Sequence, residues 1–143
     1  MRGEGGQAML IAALVIGFGA VAIVGLRVAQ DRVLAGAVTR SAGEAAVEAA
    51  AAAVADAYIA HVDSLRAHAF DVPRPNVDVP AVLAHPATLE AARSAASEAA
   101  ARNGGAFDGA IVARCVGATI EIELSHAGRL HRASLPVDAC SPR

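Results

Sequence analysis

The chain contains one long apolar stretch, "GQAMLIAALVIGFGAVAIVGLR", which runs from Gly6 to Arg27. No charged side chain occurs in this stretch before its last residue. Residues 9–26 would form roughly 27 Å of helix, or roughly 33 Å counted from Gly5, and a bilayer's hydrocarbon core is about 30 Å thick. The pattern therefore predicts a transmembrane helix over 9–26, preceded by a short cytoplasmic terminus over 1–8.

The strongly apolar side chains of this segment favour insertion into lipid. Together they contribute roughly 3–6 kcal/mol, less what the interspersed glycines subtract. No polar stripe recurs every three or four residues, as it would in an amphipathic helix of a soluble domain. The predicted anchor residues are Leu10, Ile11, Leu14, Val15, Ile16, Phe18, Val21, Ile23, Val24 and Leu26.

A cleaved signal peptide is the alternative interpretation of the same stretch. The tripeptide "AVA" at Ala20–Ala22 has the small residues of a cleavage site after a short apolar region. The leader, however, carries only Arg2 as a basic residue, with Glu4 close to it, and the apolar run continues beyond the tripeptide. We therefore expect a retained anchor.

Composition limits what the remaining chain can be. The 143 residues carry a formal net charge of −2, and 55% are hydrophobic, but the chain has only one Tyr, three Phe and no Trp. Without the anchor, about 115 residues remain, enough for one small domain with a thin core that needs a staple or a partner. Neither a basic patch nor an aromatic stacking surface is evident, so we expect no nucleic-acid partner.

The two cysteines, Cys115 and Cys140, lie in the C-terminal part of the chain. In a non-cytoplasmic domain they are expected to form one disulfide, whose closed loop of about 25 residues would add roughly 3–4 kcal/mol of stability. Two buried free thiols in a cytosolic protein are the alternative. A disulfide would place the C-terminal domain outside the cytoplasm. Together with the one predicted transmembrane helix, it predicts a single-pass membrane protein.

An amphipathic helical extension is predicted over 27–70, because this segment contains no Pro and is rich in Ala, Glu and Arg. Larger apolar residues recur along it at helical spacing. This stripe could contact neighbouring subunits or the chain's own C-terminal domain, and we assign it as a partner-contact surface. Its members are Val47, Val54, Tyr58, Val62 and Leu65.

The rest of the chain predicts a loop, a second helix and a small sheet. Three prolines in "DVPRPNVDVP" predict a Pro-rich loop over 71–85, and an Ala-rich helix follows over 86–103. Alternating apolar residues in "TIEIEL", with turn signals at Gly117 and Gly128, predict an antiparallel meander of three strands within 104–143. The predicted fold class is α+β.

Residues that could perform chemistry are scattered. The five histidines show no metal-protease spacing, and the serines lack the context of a catalytic nucleophile. His126 and His131 flank a turn and could converge with a cysteine, but we interpret them as surface histidines. We therefore expect no enzyme activity, no catalytic residues, no metal, no cofactor and no small-molecule substrate.

Three stretches resemble the TadE/TadG-like proteins of the tight-adherence (Flp) pilus system. "RGEGGQAMLIAALVIGFGAV" is similar to the start of that family before its apolar helix. "DRVLAGAVTRSAGEAAVEAAAAA" is similar to the family's passage into an Ala-rich helix with an acidic residue, here Glu44. "AASEAAARNGGAFDGAIVARCVGATIEIEL" is similar to its second helix and Cys-bearing strand.

The resemblance implies a membrane-anchored, pseudopilin-like component of pilus assembly or secretion, whose partners are the membrane and other Tad components at the cell surface. Many TadE-type members carry Glu at the fifth position after a Gly cleavage point, where this chain has Ile11 after Gly6. The chain thus resembles the anchored TadG-like or divergent TadE-like members of that family more than it resembles a major pilin, and the fold that this implies is pilin-like. A secreted or tethered ligand-binding module with a cleaved signal peptide is the alternative function.

Overall fold

The computed structural model describes residues 4–68 and 77–140, with side chains from Met9 onward, and confirms the α+β class. Three helices precede an antiparallel sheet of three strands. The elements are α1 (Glu4–His68), α2 (Val79–Ala84), α3 (Pro86–Arg102), β1 (Ile111–Val116), β2 (Thr119–His126), β3 (Arg129–Pro136) and a 3₁₀ turn (Asp138–Cys140).

Helix α1 is 65 residues long and contributes to two compact units. The first unit ends at Ala37 and the second begins at Val38. No proline interrupts α1, and alanine, its most frequent residue, has the highest helix propensity of all residues. The chain can therefore stay helical across both units even though several glycines lie along the way.

The core of the second unit is formed by α1, α2, α3 and one face of the sheet. Ile120, Ile122 and Leu124 of β2 are fully buried, and so is Val54 of α1. Burying each of these side chains contributes about 1.5–3 kcal/mol. The helices contribute mostly alanine to this core, whose small side chains fill little volume between helix and sheet: Ala42, Ala46, Ala50, Ala51, Ala92, Ala96 and Ala100.

The sheet has the order β1-β2-β3, and both of its connections are two-residue turns. The first turn has Gly117 at φ 59°, and in the second Ala127 and Gly128 lie at φ 48° and 73°. Positive φ values give such turns the twist that matches the flanking strands. The turns at Gly117 and Gly128 are those that the sequence predicts.

The predicted Pro-rich loop contains a helix that the sequence analysis did not identify. Of the predicted range 71–85, residues 71–76 lie outside the described residues, and α2 occupies Val79–Ala84. The Asp78 carboxylate accepts a hydrogen bond from the backbone N–H of Ala81 at 3.1 Å, and Pro80 lies in the first turn. A proline is tolerated there because the first helical N–H groups have no partner within the helix. Here Pro80 belongs to the start of a helix.

Helix α3 matches the predicted second helix closely. It begins at Pro86 and ends at Arg102, and Asn103 caps it. The side-chain amide of Asn103 donates a hydrogen bond to the carbonyl of Ala99 at 2.9 Å. Gly104 then turns the chain out at φ 76°, a conformation in which glycine suffers no Cβ penalty.

Candidate functional site

The first unit presents an apolar surface that nothing in the described chain covers. The ten predicted anchor residues are between 49% and 72% exposed. The most apolar window of α1 has a mean hydropathy of 2.7 and is 0% buried. Among the described residues, α1 is the one helix that is long and apolar enough to cross a membrane. An exposed apolar surface of this extent is typical of a lipid or protein interface.

The exposed apolar surface continues beyond Arg27, where the predicted transmembrane segment ends. Val28, Val33, Leu34 and Val38 are 43–72% exposed, and charged residues lie between them. The predicted extension over 27–70 thus has a packed face only from about Ala42 onward, where the first fully buried side chain of α1 occurs. The exposed segment before it is a surface that the sequence analysis did not separate from the rest of the helix.

The predicted partner-contact stripe on α1 is divided between core and surface. Val47 and Val54 are buried within the chain's own core, and Tyr58 packs against that core while partly exposed. The assignment of Val47 and Val54 as partner contacts is therefore wrong, because both side chains are already buried in the chain's own core. Val62 and Leu65 are half-buried and lie outside the core cluster.

The two cysteines form the predicted disulfide. Cys115 in β1 and Cys140 in the 3₁₀ turn are joined with their Cα atoms 5.3 Å apart. The backbone N–H of Val137 donates to the carbonyl of Ala118 at 2.8 Å and thus extends β3 toward the same end of the sheet. The disulfide and this hydrogen bond hold the last described residues against the first strand.

The two histidines that flank the second turn point into the molecule. His126 is 6% exposed and His131 is half-buried, because both fall on the inward register of their strands. The interpretation of His126 as a surface residue is therefore wrong. His126 Nδ1 and His131 Nε2 are buried, and neither has a hydrogen-bond partner among the described residues.

These histidines do not assemble a metal site. Within 4–68 and 77–140, no group of three or more His, Cys, Asp or Glu side chains is placed to hold a metal ion. His126 instead lies near an aromatic residue, with its ring centroid 6.4 Å from that of Phe107. His126 and His131 are therefore polar side chains packed at the edge of the core.

The outer face of the sheet carries a balanced cluster of charges. Glu123 accepts a hydrogen bond from Arg114 on β1 at 2.9 Å and forms an ion pair with Arg132 on β3, also at 2.9 Å, and Arg114 also reaches Glu121 at 3.4 Å. The two arginines and two glutamates sum to zero charge. Such a cluster favours one strand register but offers no net charge to a charged ligand.

A second exposed ion pair lies on α1 where the second unit begins. Arg40 Nε donates a hydrogen bond to Glu44 at 2.8 Å. This hydrogen bond keeps the pKa of Glu44 below its usual value and raises that of Arg40. Glu44, the acidic residue of the family resemblance, is therefore an ionised surface carboxylate that already has a cationic neighbour.

No protein-family model, curated protein or solved structure matches this chain. Its resemblance to the TadE/TadG-like proteins therefore depends on the three sequence stretches quoted above.

Proposed function

We propose that this protein is a non-enzymatic, membrane-anchored minor pilin-like or assembly component of a Tad (Flp) type pilus or secretion system. One observation carries the proposal: α1 bears only exposed apolar side chains over 9–26, and farther along it forms part of the core of a disulfide-closed α+β unit. In this proposal one helix both anchors the protein in the membrane and contributes residues to the core of the C-terminal domain.

The anchor follows from the energetics of the exposed apolar surface. A bilayer would remove these apolar side chains from water. A transmembrane helix also forms all its backbone hydrogen bonds internally, as lipid requires. The half-exposed Val28, Val33, Leu34 and Val38 would lie just beyond the membrane. In the proposed assembly they contact other pilin-like subunits, together with Val62 and Leu65 farther along α1.

The proposed topology places the C-terminal domain outside the cytoplasm. Disulfides persist in oxidising compartments and are rare in the cytosol. The Cys115–Cys140 bond therefore supports a short cytoplasmic N-terminus and an extracytoplasmic sheet. The basic residues on the two sides of the apolar segment give no clear preference for orientation.

Membrane fractionation of the full-length chain tests the anchor and its topology together. We expect the protein to remain with membranes after alkaline carbonate washing, and an added thiol reagent to label it only after reduction. A variant with Val21→Lys and Val24→Lys should leave the membrane fraction, whereas its matched control, Val33→Lys with Leu34→Lys, should remain. Full-length protein in the soluble cytosol with freely alkylated thiols contradicts the proposal.

The mature N-terminus, read by mass spectrometry, separates the anchor from a secreted module. An N-terminus near Ile23 would favour the secreted ligand-binding alternative, and a cut after Gly6 would favour prepilin-type processing. The assembly role is tested by deleting the gene in its host and measuring surface pili and adherence. Wild-type protein should restore both, and the Val21→Lys, Val24→Lys variant should restore neither.

A further inference from the structure

The outer edge of β1 carries main-chain groups that pair with no described residue. The backbone N–H of Ser125 donates to the carbonyl of Ala110, so the pair Ala110–Ser125 is a hydrogen-bonded one. Hydrogen-bonded and non-hydrogen-bonded pairs alternate along an antiparallel ladder. The N–H and C=O groups of Ile111, Ala113 and Cys115 therefore point away from β2, and none of them has a hydrogen-bond partner among the described residues.

An open groove runs along this edge. Its volume is about 430 Å³, and five consecutive residues of β1, Ile111–Cys115, line one side. Neighbouring residues of a strand point to opposite faces of a sheet, so a groove lined by all five lies at the strand's edge. The opposite wall is apolar and consists of Pro80, Leu83, Ala84 and Leu89 from α2 and α3.

The other edge of the sheet differs from this one. On β3 the same alternation turns the backbone groups of Leu130, Arg132, Ser134 and Pro136 outward. Pro136 has no N–H to donate, a feature with which proteins protect sheet edges from pairing. Strand β1 contains no proline. Of the two edges, that of β1 is the one built to accept a strand.

We propose that the groove beside β1 receives an extended, uncharged segment of a partner protein, which pairs with β1 as a fourth strand. The outward N–H and C=O groups are available to a main-chain partner, and strand addition supplies one. On the outer face, Val112 and Val116 are 48% and 43% exposed, and the added strand would cover them. Apolar side chains are therefore expected on the inner face of that strand, and uncharged side chains that carry a methyl group, such as threonine, on its outer face.

The charge balance at the groove favours an uncharged segment. Among the described residues that line the groove, Arg114 is the one that is charged, and this arginine is paired with Glu121 and Glu123. A second copy of the chain is less suitable, because its β1 would bring its own α2 along the same edge. The inference does not depend on the proposed membrane anchor.

A tethered strand tests this inference in the full-length chain, held in detergent micelles. The probe is a segment of about six alternating valine and threonine residues, joined after Arg143 by a flexible linker of about 20 residues with a reach of roughly 25 Å. Tethering raises the effective concentration of a weak ligand to the millimolar range. The matched control carries proline at alternate positions of the probe.

Amide hydrogen exchange followed by NMR gives a residue-specific readout. We expect the probe to slow exchange at Ile111, Ala113 and Cys115 about tenfold or more, and to leave the already paired Arg114 unchanged. The proline probe should give no such protection. Unchanged exchange at the three amides would overturn the proposal, and so would concentration-dependent protection in the chain without a probe, because a second copy would then occupy the groove.

A substitution in β1 provides a further arm of the test. Ala113→Pro removes one outward N–H without removing a ladder bond to β2, as proline does at a strand edge. In this variant the valine–threonine probe should lose its protection of Ile111 and Cys115. Full protection in a folded Ala113→Pro variant would contradict strand pairing, and if that variant does not fold, the two probes on the wild-type chain still decide the question.

Discussion

The imidazole ring of His131 on β3 lies directly against the backbone of Gly43 in α1. A β-carbon at Gly43 would stand 2.6 Å from His131 Cε1 and 2.8 Å from Cδ2, closer than real β-carbons approach. Glycine in a helix interior costs about 1 kcal/mol relative to alanine, so its presence among the alanines of α1 needs a reason. The reason is steric: the helix can approach this part of the sheet only where it has no side chain.

Gly43→Ala is expected to destabilise the second unit. The added methyl group must displace a half-buried ring, and overpacking of this kind costs typically 1–3 kcal/mol, more than the gain in helix propensity. Chemical denaturation of the protein in detergent measures the difference. Gly36→Ala is the matched control, because nothing lies within 4 Å of a β-carbon there, and it should cause no loss.

The double variant Gly43→Ala, His131→Ala distinguishes this clash from a general defect. Because the second substitution removes the ring, the cost of the first should largely disappear, giving a coupling energy of about 1 kcal/mol or more. Simple addition of the two single effects would show that the Gly43–His131 contact does not determine how closely helix and sheet approach.

Removal of the disulfide should destabilise the domain without releasing it from the membrane. The two cysteines are 25 positions apart, and the loop they close is worth roughly 3–4 kcal/mol in the chain-entropy model. We expect the double variant Cys115→Ser, Cys140→Ser to unfold at a lower denaturant concentration, and reduced wild-type protein to behave similarly. Equal stability of the variant and oxidised wild type would contradict a stabilising role for this bond.

Replacing His126 with leucine should not weaken the fold. The ring is 6% exposed and its Nδ1 lacks a partner among the described residues, so the histidine carries a desolvation cost that leucine avoids. We expect a free energy of unfolding that is unchanged or about 1–2 kcal/mol higher. Leu124→Ala, two residues earlier on the same inner face, should instead cost about 2–5 kcal/mol. Marked destabilisation by His126→Leu would indicate a polar partner for the ring.

Local patterns predict the sheet and its turns because local physics determines them. Ile120, Ile122 and Leu124 alternate with polar residues, and glycines stand where the turns need positive φ. The same alternation extends to His126, which sequence analysis placed at the surface because histidine is polar. The strand register determines that His126 is buried. Its position, two residues after Leu124 in the inward-facing series, was the sequence signal for this burial.

Features that depend on tertiary contacts could not be predicted in the same way. The apolar stripe of α1 is equally suitable for a partner or for the chain's own sheet, and only the fold shows that Val47 and Val54 belong to the core. Helix α2 was missed because prolines end helices as well as begin them. There Asp78, three residues before the N–H that it caps, was the overlooked signal.

Glu123 should matter more to stability than any other glutamate on the outer face of the sheet. Its side chain is 14% exposed and forms ion pairs with two arginines on different strands, whereas Glu121 is 33% exposed and has one longer contact. Glu123→Gln leaves Arg114 and Arg132 close together without their shared anion, and we expect a loss of about 1–2 kcal/mol. The matched control Glu44→Gln breaks an exposed, solvent-screened pair within one helix and should change stability far less than Glu123→Gln. Urea titrations at low and high salt measure both effects. Equal losses for the two variants would show that the cluster does not couple the three strands.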